Sequence, residues 1–131
     1  MALADEAGPG DSIGIIAALR AWSAQVVRFT RDPVDVELLH SPGWMLGELS
    51  LRGVIAVDCD DAAVLVAAVA GSVGVRCRFV AGALGRKLPY SHVWAECENG
   101  HSWELVDPTA PVQGIGSLDS PQWARILVLE V

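Results

Sequence analysis

The feature that most constrains the fold is a segment with no polar face. Between Asp58 and Gly74 almost every side chain is alanine, valine or leucine. Asp58 is a suitable N-cap, the two aspartates after Cys59 suit the positive end of a helix dipole, and Gly74 is a natural stop. The pattern predicts a helix over residues 59–73. A helix that is apolar all round must be covered all round, so we expect it in the middle of a domain.

The rest of the chain predicts further helices first and strands afterwards. An apolar stripe predicts a first helix that begins at Asp11 or Ser12 and ends near Phe29, and residues 44–51 suit a short helix. After the central helix the strand-like runs are 75–81, 91–98, 102–106 and 124–131. Helices followed by a run of strands indicate an α+β fold with an antiparallel sheet. We expect a flexible tail at 1–10 and a single domain over 11–131.

Composition narrows the classes of function. The chain has 131 residues, 52% of them hydrophobic, which suffices for one core. Its net charge is -7 and no basic stripe is present, so we expect neither nucleic acid nor membrane as a partner. The acidic beginning is unlike a signal peptide, and the apolar runs are too short to span a bilayer. These features favour a cytoplasmic location, and the sequence leaves the oligomeric state undefined.

Three cysteines without a CxxC pair bear on redox and metal chemistry. The odd count argues against a disulfide framework and favours a reducing compartment. A zinc site made of three thiols and a histidine stays open as a lesser alternative, because the positions lack the close ligand pairs of structural zinc sites. We therefore expect no metal and no cofactor. Cys77 and Cys97 are interpreted as packing residues, His101 as a residue beside an exposed turn, and His40 as a loop residue without an evident partner.

A predicted hairpin brings a histidine and an aspartate together. Asn99-Gly100 between two strand-like runs is a strong hairpin signal. A two-residue loop of this dipeptide, or a four-residue loop centred on it, places His92 directly opposite Asp107, within reach of a hydrogen bond. A three-residue loop would put the two residues on opposite faces.

Strand alternation extends this interpretation to a whole face of the hairpin. We expect that face to pack on the central helix at one end and to leave Glu96 nearer the rim. Its members are His92, Trp94, Glu96, Trp103, Leu105 and Asp107.

Cys59 adds a nucleophile at the start of the central helix. Free N–H groups and the positive end of the dipole lower the pKa of a thiol there, whereas the neighbouring aspartates raise it. A protonated His92 close by would offset the aspartates. The unpaired backbone N–H of Cys59 is also a candidate oxyanion donor. Thiol, imidazole and carboxylate are the groups that a cysteine nucleophile, its base and the orienting residue require.

Taken together, these motifs resemble the transglutaminase-like superfamily. Cys59 with its aspartates, the Ser-His-Val-Trp-Ala-Glu run at 91–96 and the Trp-Glu-Leu-Val-Asp-Pro-Thr run at 103–109 carry the resemblance, which covers roughly 12–110. It implies a papain-like α+β fold, in which N-terminal helices and a central cysteine-bearing helix pack on an antiparallel sheet. The resemblance also implies Cys59 as nucleophile, His92 as general base and acid, and Asp107 as the residue that orients His92.

The resemblance further implies an activity and its accessory residues. We expect a cysteine protease or amidase that cleaves a peptide or amide bond of a protein or peptide through a thioester, as bacterial and phage members do. The alternatives are a protein-glutamine acyltransferase, disfavoured by the lack of a calcium-loop pattern, and a catalytically idle interaction domain. Trp44 and Trp94 are candidate substrate or oxyanion residues. Val57 stands where many members have glycine, and we expect it to narrow the approach to the thiol.

Overall fold

The computed structural model describes residues 12–30, 40–83, 92–109 and 125–130, and the expected tail at 1–10 lies outside these ranges. The described helices and strands follow one another along the chain as α1 (Ser12–Val26), β1 (Val27–Phe29), α2 (Pro42–Arg52), β2 (Ile55–Val57), α3 (Cys59–Ser72), β3 (Cys77–Ala83), β4 (His92–Glu98), β5 (Trp103–Val106) and β6 (Arg125–Glu130).

An antiparallel sheet forms one layer of the fold. Its strand order is β5-β4-β3-β6, and each neighbouring pair is antiparallel. Helix α3 lies against β4 and β3, and α1 and α2 both contact α3. The predicted α+β arrangement, with the cysteine-bearing helix packed on an antiparallel sheet, is confirmed.

The central helix forms where its caps place it. Asp58 has extended backbone angles and its side chain accepts the N–H of Cys59, while Gly74 has a φ of 82°, a conformation that glycine adopts without strain. The helix ends one residue before the predicted end. Its buried residues are Asp61, Ala62, Ala63, Leu65, Val66, Val69 and Ala70.

The sheet face that packs on α3 is not the predicted one. Ala95, Cys97 and Val106 lie in the hydrophobic cluster that contains α3, whereas Trp94 and Val80 form a separate cluster. The prediction that the face with His92, Trp94 and Glu96 packs on α3 is therefore wrong. An alanine-rich helix approaches a sheet closely, and the small side chains of Ala95 and Cys97 leave room for that approach.

Glu96 is buried on the opposite face and does not lie near the rim. Its Oε1 accepts hydrogen bonds from Nε and Nη2 of Arg78 at 2.9 and 2.6 Å, and its Oε2 accepts one from the indole N–H of Trp94 at 3.1 Å. The Arg78 guanidinium also stacks over Trp103, 4.4 Å from the ring centroid. The carboxylate is buried because a cation and three N–H groups replace the water that it loses.

The first helix is shorter than its apolar stripe predicts. It ends at Val26, and Val27–Phe29 pair in parallel with Ile55–Val57. The Thr30 N–H adds a hydrogen bond to the Val57 carbonyl at 2.9 Å. Pairing with a strand that is distant in the sequence overrides the helical periodicity of the last turn.

The hairpin turn differs from the prediction by two residues of register. The loop residues are Gly100 and His101, closed by the Asn99 N–H on the Ser102 carbonyl at 3.0 Å. Gly100 has a φ of 95° and so occupies the first loop position, where a tight hairpin needs positive φ. The Asn99 side-chain oxygen accepts the backbone N–H groups of His101 and Ser102, which fixes Asn99 before the loop.

The shift changes partners but not faces. Ala95 pairs with Val106, so Asp107 lies past the end of the ladder, level with Trp94 rather than with His92. The direct opposition of His92 and Asp107 is wrong. Because the shift is an even number of residues, both side chains stay on one face as diagonal neighbours.

Arg78→Met is expected to lower the free energy of unfolding by about 3–5 kcal/mol, because it leaves the buried Glu96 carboxylate without its cation. Urea denaturation measures the change. The matched control is Arg52→Met, whose partner Glu48 forms a surface pair with Arg52 at 2.7 Å. That change is expected to cost less than about 1 kcal/mol. Equal losses in the two variants would contradict the account of Glu96.

Candidate active site

Cys59 lies in the first turn of α3 with its sulfur against β4. The backbone N–H of Val93 is close enough to the sulfur to lower the pKa of the thiol. Odd-numbered residues of β4 direct their N–H groups toward β5, and β5 ends at Val106, which pairs with Ala95. The Val93 N–H therefore extends beyond the ladder, where it meets the thiol. The thiol thus lies beside the peptide group that links His92 to Val93.

Cys59 is a neutral thiol at rest. Burial, first of all, and then the negative charges of Asp58 and Asp60 raise its pKa to about 12, against the lowering effect of the Val93 N–H. The lowered pKa expected from the helix start is therefore not found. Desolvation and two adjacent carboxylates outweigh the favourable end of the helix at this position.

The backbone N–H of Cys59 is already paired. It donates to Asp58 Oδ1 at 2.7 Å, so the expectation of an unpaired N–H for an oxyanion is wrong. The N-cap is an aspartate, whose carboxylate satisfies one of the donors that a helix start leaves open. An oxyanion reaches this N–H only if the Asp58 side chain rotates away.

His92 and Asp107 meet, as the shared face predicts. His92 Nε2 lies 2.6 Å from Asp107 Oδ2, and the two side chains are only 1% and 3% exposed. A carboxylate at Nε2 favours the tautomer in which Nε2 carries the proton, so the ring presents Nδ1 as its basic nitrogen. Of the possible neutral forms, this is the one that a general base requires.

Thr109 holds the carboxylate in place, a role that the sequence reasoning missed. Asp107 Oδ1 accepts the Thr109 backbone N–H at 2.9 Å and the Thr109 hydroxyl at 2.8 Å. The signal was present in the sequence, since an Asp-x-Thr step allows an aspartate to accept the N–H two residues ahead. With Oδ1 held by Thr109, Oδ2 is directed at the imidazole.

The two candidate tryptophans lie in different environments. Trp94 is 1% exposed, stacks on the His92 ring at 5.5 Å and donates its N–H to Glu96. It therefore supports the imidazole from inside the protein and offers a substrate almost no surface. Trp44 is 47% exposed at the beginning of α2. Trp44 is therefore the tryptophan of the two that a substrate can reach.

His40 has a partner, contrary to the expectation from the sequence. Its backbone N–H and its Nδ1 both lie 2.8 Å from the carboxylate of Asp61, which is fully buried in the first turn of α3. The His40 ring stacks on Trp44 with centroids 4.3 Å apart. This chain of contacts attaches Trp44 to the helix turn that carries Cys59. Neither residue spacing nor strand pairing reveals it, because His40 and Asp61 belong to separate segments.

Val57 and the acidic cluster bear on access and metal binding. Val57 is 1% exposed and packs in the main core, so its side chain does not line an exposed approach to the thiol. Among the described residues, the group whose ligand atoms lie close enough for a metal ion is Asp58, Cys59 and Asp60, within 4.8 Å of one another. That group lacks the histidine and the further thiols of the zinc alternative, which is not assembled in the described ranges.

The fold and the site together define a papain-like α+β protein with a cysteine at the start of its central helix. A histidine on the adjoining strand β4 pairs with an aspartate that directly follows β5. Residues 2–108 match the model of the transglutaminase-like superfamily, and the chain belongs to that superfamily.

A solved structure supports the fold assignment. The structure of a candidate cysteine protease from Cytophaga hutchinsonii superposes with a TM-score of 0.56 at 19% identity, over 88% of this chain and 39% of that chain. The chain thus spans well under half of that protein. No curated protein matches the sequence significantly. None of the helices in the described ranges has the length and hydropathy needed to cross a lipid bilayer.

Asp60→Asn is expected to speed alkylation of Cys59 at neutral pH, because removing a nearby negative charge lowers the thiol pKa. The rate of carbamidomethylation by iodoacetamide, followed by peptide mass analysis, measures this reactivity. Glu48→Gln removes a carboxylate of α2 that is paired with Arg52 and serves as the control. An unchanged rate in Asp60→Asn would contradict the assignment of Asp60 as a cause of the raised pKa.

Proposed function

We propose that the protein is a cysteine hydrolase that cleaves an amide or peptide bond, with Cys59 as nucleophile, His92 as general base and acid, and Asp107 as the orienting carboxylate. Membership of the transglutaminase-like superfamily supports a cysteine-dependent hydrolase or acyl-transfer activity. The observation that carries the specific proposal is that the Cys59 sulfur lies in the first turn of α3, near the Val93 N–H of β4, which lowers the pKa of the thiol. This puts the thiol near the peptide group that links Val93 to His92, the residue that Asp107 contacts.

The first half-reaction forms a thioester on Cys59. His92 Nδ1 takes the thiol proton while the Cys59 sulfur attacks the substrate carbonyl carbon, which forms the carbon–sulfur bond. Asp107 stabilises the imidazolium through Nε2–H. As the tetrahedral intermediate collapses, the carbon–nitrogen bond breaks and His92 returns the proton to the leaving amine. The product of this step is a thioester on Cys59.

The second half-reaction releases the acyl group. His92 removes a proton from water, the resulting oxygen nucleophile attacks the thioester, and the carbon–sulfur bond breaks. His92 then returns the proton to the departing sulfur, which gives a carboxylic acid and the free thiol. Trp44 is part of this proposal as a substrate contact, because it is exposed and is attached to the first turn of α3 through His40. We include a protein or peptide substrate and a single domain over 11–131 in the same proposal.

The raised pKa of Cys59 distinguishes two routes to the thiolate. A thiol whose pKa is about 12 is almost wholly protonated at neutral pH, so a stable thiolate–imidazolium pair is not the resting state. Proton transfer to His92 therefore accompanies the attack. A substrate that displaces the Asp58 side chain would assist this proton transfer. The displacement removes a negative charge from beside the thiol and frees the Cys59 N–H to bind the oxyanion.

Hydrolysis and acyl transfer differ only in the acceptor. The experiment incubates the protein with glutamine-containing peptides and a fluorescent primary amine, and separates the products by mass. Hydrolysis gives new carboxylic acids without incorporated amine, whereas a transglutaminase attaches the amine to glutamine. Product formation that persists in Cys59→Ala would exclude the proposal altogether.

A catalytically idle interaction domain of the same fold is the competing proposal. The neutral resting thiol and the pairing of the Cys59 N–H with Asp58 are the observations that favour it. An activated acyl ester separates the two. If the protein is a hydrolase, the ester acylates Cys59 faster in the wild-type protein than in His92→Ala. If the domain is idle, the rate of Cys59 acylation is the same in both proteins.

A further inference from the structure

Two thiols that the proposed reaction does not use lie side by side on neighbouring strands of the sheet. Cys77 of β3 pairs directly with Cys97 of β4, and their sulfur atoms lie 3.3 Å apart. Both side chains are buried and both are free thiols. The sequence places them twenty positions apart without a motif, and only the β3–β4 register brings them together.

The register places this pair at a position that suits a covalent link. The neighbouring pair is hydrogen-bonded, since the Glu98 N–H donates to the Arg76 carbonyl at 2.9 Å. Cys77 and Cys97 therefore form a non-hydrogen-bonded pair, in which Cα atoms are about 4.5 Å apart and side chains are closest. That separation lies at the short end of the range of about 4.4–6.8 Å that disulfides span.

Cys77 is 6% exposed and lies beside an opening of the protein surface. It lines an open cavity of about 310 Å³ at the C-terminal end of α3, together with Ala67, Gly71 and residues 74–76. Cys97 is fully buried behind it. A hydrogen bond between the two thiols lowers the pKa of Cys77 and raises that of Cys97. Cys77 is thus the thiol of the pair that lies nearer the opening.

We propose that Cys77 and Cys97 are a reversible modification site, at which a peroxide or a low-molecular-weight disulfide oxidises the pair to a disulfide that joins β3 to β4. With hydrogen peroxide, Cys77 sulfur attacks oxygen, the O–O bond breaks, and water and a Cys77 sulfenic acid result. Cys97 sulfur then attacks the Cys77 sulfur, the S–O bond breaks, and a second water leaves.

With a low-molecular-weight disulfide the same site reacts by exchange. Cys77 displaces one thiol and forms a mixed disulfide, and Cys97 then displaces the second thiol. In either route two protein thiols are oxidised and one oxidant molecule is reduced. The sulfur atoms must close from 3.3 Å to about 2.05 Å, a movement that side-chain rotation supplies. This site is independent of Cys59 and of the proposed activity.

The test exposes the folded wild-type chain to oxidised glutathione, and in parallel to hydrogen peroxide, and then blocks remaining thiols in denaturant. Peptide mapping without reductant is expected to find one crosslinked species joining the peptides of Cys77 and Cys97, with the intact mass lowered by two hydrogen atoms apart from any adduct on Cys59. Dithiothreitol is expected to reverse the link, and the oxidised protein is expected to have a higher Tm, because the link constrains the unfolded chain.

Two comparisons make the result decisive. In Cys97→Ala, Cys77 is expected to stop at the mixed disulfide with glutathione, which identifies it as the attacking thiol. If that variant does not fold, the crosslink in the wild-type protein is sufficient to test the proposal. The proposal is overturned if Cys77 and Cys97 remain blockable under conditions that oxidise them in the denatured chain. It is equally overturned if the crosslink forms only in denaturant or involves Cys59.

Discussion

The Cys59→Ala variant is expected to lose at least about 10⁴-fold in kcat/KM on any substrate that the wild-type protein hydrolyses. In the proposed reaction the sulfur forms the acyl bond, and a methyl group in its place cannot attack a carbonyl carbon. Since Cys59 is only partly buried at the end of a helix, truncation leaves the fold intact, and circular dichroism checks this. Steady-state rates with a common substrate measure the loss.

Cys77→Ala is the matched control for the loss of a thiol. Its sulfur lies in β3 against Cys97 rather than beside Val93, so we expect turnover within about threefold of wild type. Turnover in Cys59→Ala within tenfold of wild type would show that another group attacks the substrate, and the assignment of the nucleophile would then be wrong.

The Asp107→Asn variant is expected to lower kcat about 10³–10⁴-fold while the shape of the site is preserved. The asparagine oxygen can keep both hydrogen bonds from Thr109, which directs the amide NH₂ group at His92 Nε2. A donor at that position favours a proton on Nδ1. The ring then carries its proton on Nδ1, the nitrogen that accepts the thiol proton in the proposed mechanism.

Two measurements distinguish a change of the His92 tautomer from a disturbed structure of the site as the cause of this loss. Thr109→Ser keeps the hydroxyl that donates to Asp107 and is expected to retain most of the activity. NMR of the imidazole nitrogens reports the tautomer directly, with the proton on Nε2 in wild type and on Nδ1 in Asp107→Asn. A normal kcat with a changed tautomer would contradict the role of His92 as base.

Local signals predicted the parts of the fold that depend on local physics. The cap at Asp58, the stop at Gly74 and the apolar segment between them were sufficient for α3, because capping and burial act within a few residues. The face shared by His92 and Asp107 was also predictable, since strand alternation survives an even shift of register. The register shift depends on which residue of Asn99-Gly100 takes the first loop position. The hydrogen bonds of the Asn99 side chain place Asn99 before the loop and Gly100 first in it.

The parts that failed depend on contacts between distant segments. The pairing of β1 with β2 ends α1 early, and the packing of α3 selects the sheet face with the smaller side chains. The pKa of Cys59 was misjudged for the same reason, because burial depends on what covers the thiol. The His40–Asp61 contact is likewise tertiary.

Trapping of the acyl-enzyme tests the central claim most directly. The protein is mixed with an activated acyl ester, quenched in acid within seconds, and digested for peptide mass analysis. We expect one acyl group per chain on the peptide that contains Cys59, formed at least about 10²-fold more slowly in His92→Ala because the general base is lost. Acylation of a different residue, or an unchanged rate at Cys59 in His92→Ala, would contradict the account.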